Sequence, residues 1–283
     1  MHFLSDLLYL VVYYLVGYRR KVVRDNLQQC FKDKSAAEQK RIEKRYYHHL
    51  CDLLVEGTYN LLFATPPYLK KHYHIVDRRI LDSYYEHGQT VILLSAHYGN
   101  WEYMVTSLNM QLLHHGIGVG KPLNDKLTAS FITRRRTRYG TQVVDQTDVR
   151  QHVAFYDKYH VPCALMMLGD QSPRNPHRSY WTTFLGRDTA FLYGAENFAR
   201  KYNYPVLYYH VKRVKRGYYE LTFTPLCEHP LEVPQYSIVE NYVRRLEHDI
   251  LQQPEYWLWS HRRWKLTRKG RIRKDGTIKI INP

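Results

Sequence analysis

The feature that most restricts how this chain can fold is the run Thr90–Ala96, Thr-Val-Ile-Leu-Leu-Ser-Ala, which ends abruptly at His97. A strand with one wet face alternates apolar and polar residues. A short unbroken apolar run instead marks a strand covered on both faces, the condition of a parallel sheet between helices. Cys163–Gly169 repeats the pattern as Cys-Ala-Leu-Met-Met-Leu-Gly. Around these two, shorter strands are expected at His74–Val76, Gln142–Val144, Val206–Val214 and Tyr218–Pro225. Helical periodicity falls on Arg78–His87, Asn100–His115, Asp125–Tyr139, Asp148–Tyr159, Ala190–Tyr202 and Gln235–Gln253. Upstream, Ser35-Ala36-Ala37-Glu38 fits a capping box, in which Ser and Glu satisfy two orphan helix donors. It opens a helix with apolar positions at Ile42, Tyr46, Leu50, Leu53, Leu54 and Leu61, stopped by Pro66-Pro67. The expectation is an α/β fold: a mostly parallel central sheet flanked by helices, some antiparallel edge strands, and an N-terminal helical region that associates with a membrane.

At 283 residues with 44% hydrophobic content, the chain buries a core without disulfide or metal staples. Its four cysteines are scattered and form no Cys-x-x-Cys pair, which points to reduced core thiols in a reducing compartment. Lys+Arg 42 against Asp+Glu 26 leaves a net charge of +16, so the partner surface is polyanionic: an anionic membrane, an acidic protein, a phosphorylated substrate or a nucleic acid. Phe3–Val16 is apolar apart from Ser5 and Asp6, and Arg19, Arg20, Lys21 and Arg24 follow at once. A spanning helix needs about 20 apolar residues, so this run is too short to cross alone. It reads as a membrane-associating segment (1–17) whose basic end stays cytoplasmic, or as an amphipathic first helix packed on the domain. No cleavable signal peptide is evident.

Ligands of open α/β sheets gather at the carboxyl ends of strands. There the first run delivers His97-Tyr98-Gly99-Asn100-Trp101-Glu102. Gly99 permits a turn and Asn100 is a helix-capping residue. On one continuous helix, His97 and Glu102 would sit about 140° apart; across a loop-to-helix corner they can meet. A carboxylate on one ring nitrogen fixes the imidazole tautomer, which frees the other nitrogen as a base. Alone, this spacing equally describes a histidine that fills a loop. Other signals carry less. Gly116–Lys121 looks like a phosphate loop but lacks its spacer and hydroxyl residue, and is expected to be a turn. The histidine pairs have no metal-ligand spacing, so no metal and no cofactor are expected. The basic tail Arg262–Lys279 reads as a surface arm, and no nucleic-acid-binding motif accompanies it.

The corner sequence resembles the His-x4-Asp/Glu motif of the glycerophosphate and lysophospholipid acyltransferase superfamily, and more closely the lipid A biosynthesis (late) acyltransferase family, whose usual form is His-Phe-Gly-Asn-Trp-Glu. The resemblance runs from about residue 18 to 266. It includes residues 17–31 and 48–57 of the N-terminal helical region (18–66), an Arg-x3-Gly segment at Arg136 and Gly140, and the pair Asp170-Gln171. It continues through Phe184, Gly186, Gly194, Pro205 and Arg213 to a Trp-x-His-Arg-Arg-x-Lys signature at Trp259–Lys265. Tyr98 and Trp264 stand where the family usually has Phe, and the apolar N-terminal run is shorter than its usual anchor.

The resemblance implies an acyltransferase domain over 67–266, followed by a basic tail (267–283). It implies transfer of a fatty acyl chain from acyl carrier protein to a hydroxyl of a lipid A precursor at the cytoplasmic face of the inner membrane. His97 would be the general base and Glu102 its partner, with Arg136, Asp170, Arg213 and Asn100 binding substrate. Arg134, Arg135, Arg136 and Arg138 form the densest basic cluster, and guanidinium forks bind phosphate well. Two alternatives stay open: another membrane lipid as acceptor, such as a phospholipid, ornithine lipid or polyene glycolipid; or a non-catalytic basic protein bound to membrane.

Overall fold

The computed structural model describes residues 2–120, 126–273 and 276–281, and side chains throughout these except 126–129. The expected helix start at Asp125 and the Lys121 end of the glycine run lie outside the described residues. Strands in chain order are β1 (Tyr73–Ile75), β2 (Val91–Ser95), β3 (His115–Gly120), β4 (Gln142–Asp145), β5 (Cys163–Leu168), β6 (Tyr180–Phe184), β7 (Arg187–Phe191), β8 (Val206–Lys215) and β9 (Tyr218–Cys227). The chain divides into two compact units. A sheet unit comprises Leu53–Leu168 and Phe198–Val233; a terminal unit comprises Met1–Asp52, Gly169–Asn197 and Pro234–Pro283.

In the sheet unit, strand order is β1-β9-β8-β2-β5-β3-β4. β8, β2, β5, β3 and β4 are mutually parallel, and the β8–β9 hairpin turns the last two strands, β9 and β1, the other way. The two apolar runs are the neighbours β2 and β5, every residue of β2 being buried. One face packs Leu93, Met104, Leu108, Tyr209, Tyr219 and Leu221 into a common core.

The glycine run expected to be a turn is instead β3, paired with β5 and β4. Its glycines let the preceding helix, Trp101–Gln111, lie close: a Cβ on Gly116 would sit 2.8 Å from the Leu108 side chain. That helix therefore ends before residue 115, earlier than its periodicity suggests. Pro66-Pro67 follow the end of the long helix Ala36–Leu62 and also open the next one, Pro66–His72, where a missing N–H costs nothing.

His114, just before β3, has Nε2 3.0 Å from the Gln89 carbonyl, so Nε2 carries the proton; Nδ1 is buried with no partner among the described residues. Burial lowers its pKa below the ordinary 6.5, and that of His115 likewise. Between the folded and unfolded values the unfolded chain binds more protons, so stability rises with pH there. The contribution is complete above the unfolded value and is lost as pH falls through it. The thermal midpoint is expected to drop between about pH 7 and about pH 5. His114→Asn, which keeps a donor for Gln89 without titrating, is expected to flatten part of that slope in pH-resolved melting curves.

The terminal unit holds three departures from sequence expectation. The helix read over Ala190–Tyr202 begins only at Gly194, because β6 and β7 form a hairpin before it. Its two-residue turn, Leu185-Gly186, has both residues at positive φ (50° and 71°), the geometry that matches strand twist. The basic tail is not a loose arm: Leu266–Thr267, Gly270–Ile272 and Ile278–Ile280 form a three-stranded antiparallel sheet. Arg263, at the start of the tail, is 1% exposed.

At the N-terminus, helix His2–Tyr9 passes into a wider π-type segment, Leu10–Val16, closed by Gly17 at φ 60°. No helix among the described residues is long and apolar enough to cross a membrane. The segment packs its more polar side inward. Ser5 donates to Asp52, Tyr9 stacks on His48 at 3.6 Å, and Arg20 lies 4.5 Å over the Tyr13 ring. Phe3 (84% exposed), Leu4, Leu7, Leu10 and Leu15 (80%) face outward.

Candidate active site

β2 ends at Ser95, and two residues later the chain reaches His97. Gly99 then turns with φ +59°. Any side chain there would meet Val211, its Cβ only 2.8 Å from the valine methyl. This close approach seats the corner against β8. Asn100 caps the helix that follows, its Oδ1 accepting the Tyr103 N–H at 3.2 Å. The turn and the cap are both as the sequence led us to expect. His97 is half-buried, its ring edge-on to Trp101 at 5.2 Å.

Glu102, in the first turn of that helix, meets Arg136. The guanidinium Nε donates to Oε2 at 3.0 Å, and Nη2 donates to both carboxylate oxygens at 2.7 Å. Both side chains are about 30% exposed, at 30% and 27%. A two-nitrogen fork of this kind fixes the plane of a carboxylate as well as its position. Two of the expected site residues are therefore in direct contact. Arg136, expected to meet substrate phosphate, holds a carboxylate of its own chain.

The rest of the arginine cluster is largely committed to structure. Arg135 donates to the carbonyls of Leu61 and Leu62, and Arg138 to those of Asn60 and Ala64 (2.7 and 2.8 Å). These are carbonyls at and just beyond the end of the long helix, where no intrahelical donor remains. Arg134 is exposed. On β8, Arg213 is half-buried opposite Tyr219, just before an irregularity in the register. β8 pairs with β2 through Tyr208, so Arg213 lies on the stretch that runs past the carboxyl end of β2.

Asp170 follows β5 by two residues and belongs to the terminal unit. It is buried and accepts the indole N–H of Trp257 at 3.0 Å. It is also the charge that supports Arg263, whose pKa burial lowers to about 10 against the opposing pull of Asp170. Arg263 donates to the Ala190 carbonyl at 2.6 Å and lies 4.3 Å over the Phe191 ring. Nothing local in the sequence separated this buried arginine from its exposed basic neighbours.

One further residue escaped sequence reading. Glu56, buried on the long helix, has Oε2 accepting from Asn100 Nδ2 and from the Tyr219 hydroxyl, each at 2.8 Å. A carboxylate inside an amphipathic helix is read as solvated unless the buried face is known. The sheet unit also has a cleft of about 420 Å³ along β4, lined by Thr141, Asp145, Asp148 and His152 among others and by none of the expected site residues. Among the described residues, no three His, Cys, Asp or Glu side chains are grouped to hold a metal ion.

A family model for bacterial lipid A biosynthesis acyltransferases matches residues 3–266. The chain belongs to this family. Two curated relatives are the lipid A biosynthesis palmitoleoyltransferase of Escherichia coli (strain K12) and the lipid A biosynthesis acyltransferase of Shigella flexneri. Each is 24% identical over 249 residues, covering 87% of this chain and 79% of the relative. Membership in the lipid A acyltransferase family sets the activity class as acyl transfer in lipid A synthesis, in agreement with the resemblance carried by the corner and the C-terminal signature.

Proposed function

We propose that this acyltransferase moves a fatty acyl chain from the thioester of acyl carrier protein to a hydroxyl of a lipid A precursor, a secondary acylation in lipopolysaccharide biosynthesis. His97 takes the hydroxyl proton as the oxygen attacks the thioester carbonyl. The carbonyl electrons move to the oxyanion, the C–S bond breaks as it collapses, and the departing thiolate takes the proton back from the imidazolium. Glu102 stabilises that imidazolium, and Arg136 orients Glu102. Backbone N–H groups or a guanidinium supply the oxyanion donors.

The observation that carries this reading is the corner: a half-buried imidazole at the end of a buried parallel strand, five positions before a carboxylate clamped in a fork. Burial pushes the Cys30, Cys51 and Cys163 thiols up to about 12. Thiols of that kind are poor nucleophiles, which favours direct transfer over an acyl-cysteine intermediate.

The acceptor phosphates fall to Arg213, on the stretch of β8 that runs past the end of β2, and to the exposed Arg134. The outward Phe3–Leu15 face and the +16 charge support association with an anionic leaflet at the cytoplasmic face of the inner membrane. The same charge suits an acidic carrier protein.

The test is transfer by the purified chain from a panel of acyl carrier protein thioesters, offered lipid A precursor, phospholipid and ornithine lipid in competition, with products weighed by mass spectrometry. One added acyl group on the lipid A precursor is the expected result. Exclusive acylation of a phospholipid or ornithine lipid overturns the acceptor, and no transfer from any carrier protein thioester overturns the donor.

A further inference from the structure

We infer that Glu56 is a positioning residue for acyl transfer, one that sets the orientation of the His97–Glu102 corner through the Asn100 amide. The inference rests on the reading that this corner is the reaction centre.

The hydrogen bonds run in one direction only. A carboxylate accepts, so Glu56 Oε2 receives the Asn100 Nδ2–H and the Tyr219 O–H, both at 2.8 Å. Asn100 is 1% exposed, and its other end, Oδ1, receives the Tyr103 N–H. Flipping that amide would aim Oδ1 at a carboxylate and Nδ2 at a backbone N–H, opposing both contacts at once. Glu56 thus selects one of two amide orientations, and that orientation is the one that caps the helix carrying Glu102. Gly99 packs on Val211 of β8 immediately before, so the corner is held on one side by backbone contact and on the other by this amide. Tyr219 of β9 ties the same oxygen to the sheet. Three elements that are distant in sequence (the long helix, the corner and β9) meet on a single buried carboxylate oxygen.

The arrangement predicts that the polarity of the pair, rather than its volume, is what matters. Asn100→Asp is isosteric and still offers the Tyr103 N–H an acceptor, but it sets two carboxylates at hydrogen-bond distance. Its kcat is expected to fall by about 100-fold, the scale of opposing like charges in a buried site, with KM for both substrates within about twofold of the parent. Glu56→Gln keeps an acceptor for both donors and is expected to lose no more than about fivefold in kcat. In the double variant Glu56→Gln/Asn100→Asp, the amide nitrogen takes the place of that oxygen and donates both to Asp and to the Tyr219 hydroxyl oxygen, so the opposition of two carboxylates is removed. The double variant is expected to return to within about fivefold of the parent kcat.

Steady-state rates are measured on the full chain with an acyl carrier protein thioester and lipid A precursor, beside thermal melts. Recovery in the double variant supports the inference, because two isosteric changes acting only through packing would not rescue one another. A double variant as slow as the product of the two single effects, or a loss confined to KM, overturns it. Should Asn100→Asp not fold, the double variant decides alone: kcat within about fivefold of the parent supports the coupling, and a loss beyond about 100-fold overturns it. His97→Ala runs in parallel. If that variant keeps parental transfer, the reading of the reaction centre fails; if it is inactive while the double variant shows no rescue, only the role of Glu56 fails.

Discussion

A His97→Ala variant is expected to lose about 10³-fold or more in kcat while keeping its fold and its binding to anionic vesicles. General acid–base groups contribute about 10² to 10⁴, and in the proposed mechanism one imidazole would both remove the hydroxyl proton and return it to the thiolate. The side chain is half-buried and stands edge-on to Trp101 on a loop whose shape is set by Gly99, Asn100 and Val211. Its removal therefore leaves the corner standing. The binding surface proposed for the membrane is carried by Phe3–Leu15, far along the chain, so vesicle co-sedimentation should not change. Glu102→Gln is expected to be milder, since an amide still offers one acceptor to Arg136. Parental turnover by the His97 variant, measured on protein with a normal melting curve, would remove the imidazole from the mechanism.

The largest effect on stability is expected at Arg263. Its guanidinium is wholly buried, donates to the Ala190 carbonyl, covers the Phe191 ring and faces Asp170. Arg263→Met fills similar space but takes away the guanidinium charge that faces the buried Asp170 carboxylate. Removing one member of a buried pair typically costs about 3–5 kcal/mol, whereas replacing both costs far less. Urea unfolding should therefore show a large loss for Arg263→Met and a partial recovery for Arg263→Met/Asp170→Asn. Arg263→Lys should not rescue, because a lysine has no planar fork to reach the carbonyl and cover the ring together. Equal stability of Arg263→Met and the parent would mean that Asp170 finds its compensation elsewhere.

What could be read from the chain was what neighbours in sequence decide. The capping box at Ser35 and Glu38 closes reciprocally, Ser35 N–H to Glu38 Oε2 at 2.8 Å and Glu38 N–H to Ser35 Oγ at 3.3 Å. The Asn100 cap, the Gly99 turn and the apolar runs that become β2 and β5 are local in the same sense: each is written in a few adjacent residues. β3 was hidden because its glycines report on a helix lying across it, a partner the sequence does not announce. The β6–β7 turn was hidden because Leu185 adopts a left-handed conformation that asparagine or glycine normally fills. The buried state of Arg263 and of Glu56 depends on which face of an element is covered, and charge alone argues the opposite. The five-residue spacing of His97 and Glu102 is plain in the sequence. The clamp on Glu102 is not, because Arg136 comes from a helix more than thirty residues downstream.

The short stretch from Arg135 to Arg138 grips Glu102 with one guanidinium and closes the end of the long helix with two others. Evolution is thereby denied a free dial at this spot. A lineage drifting toward a new acceptor could not rewrite this turn without loosening a neighbouring helix, so its preferences would have to be retuned on surfaces that bear no such double duty.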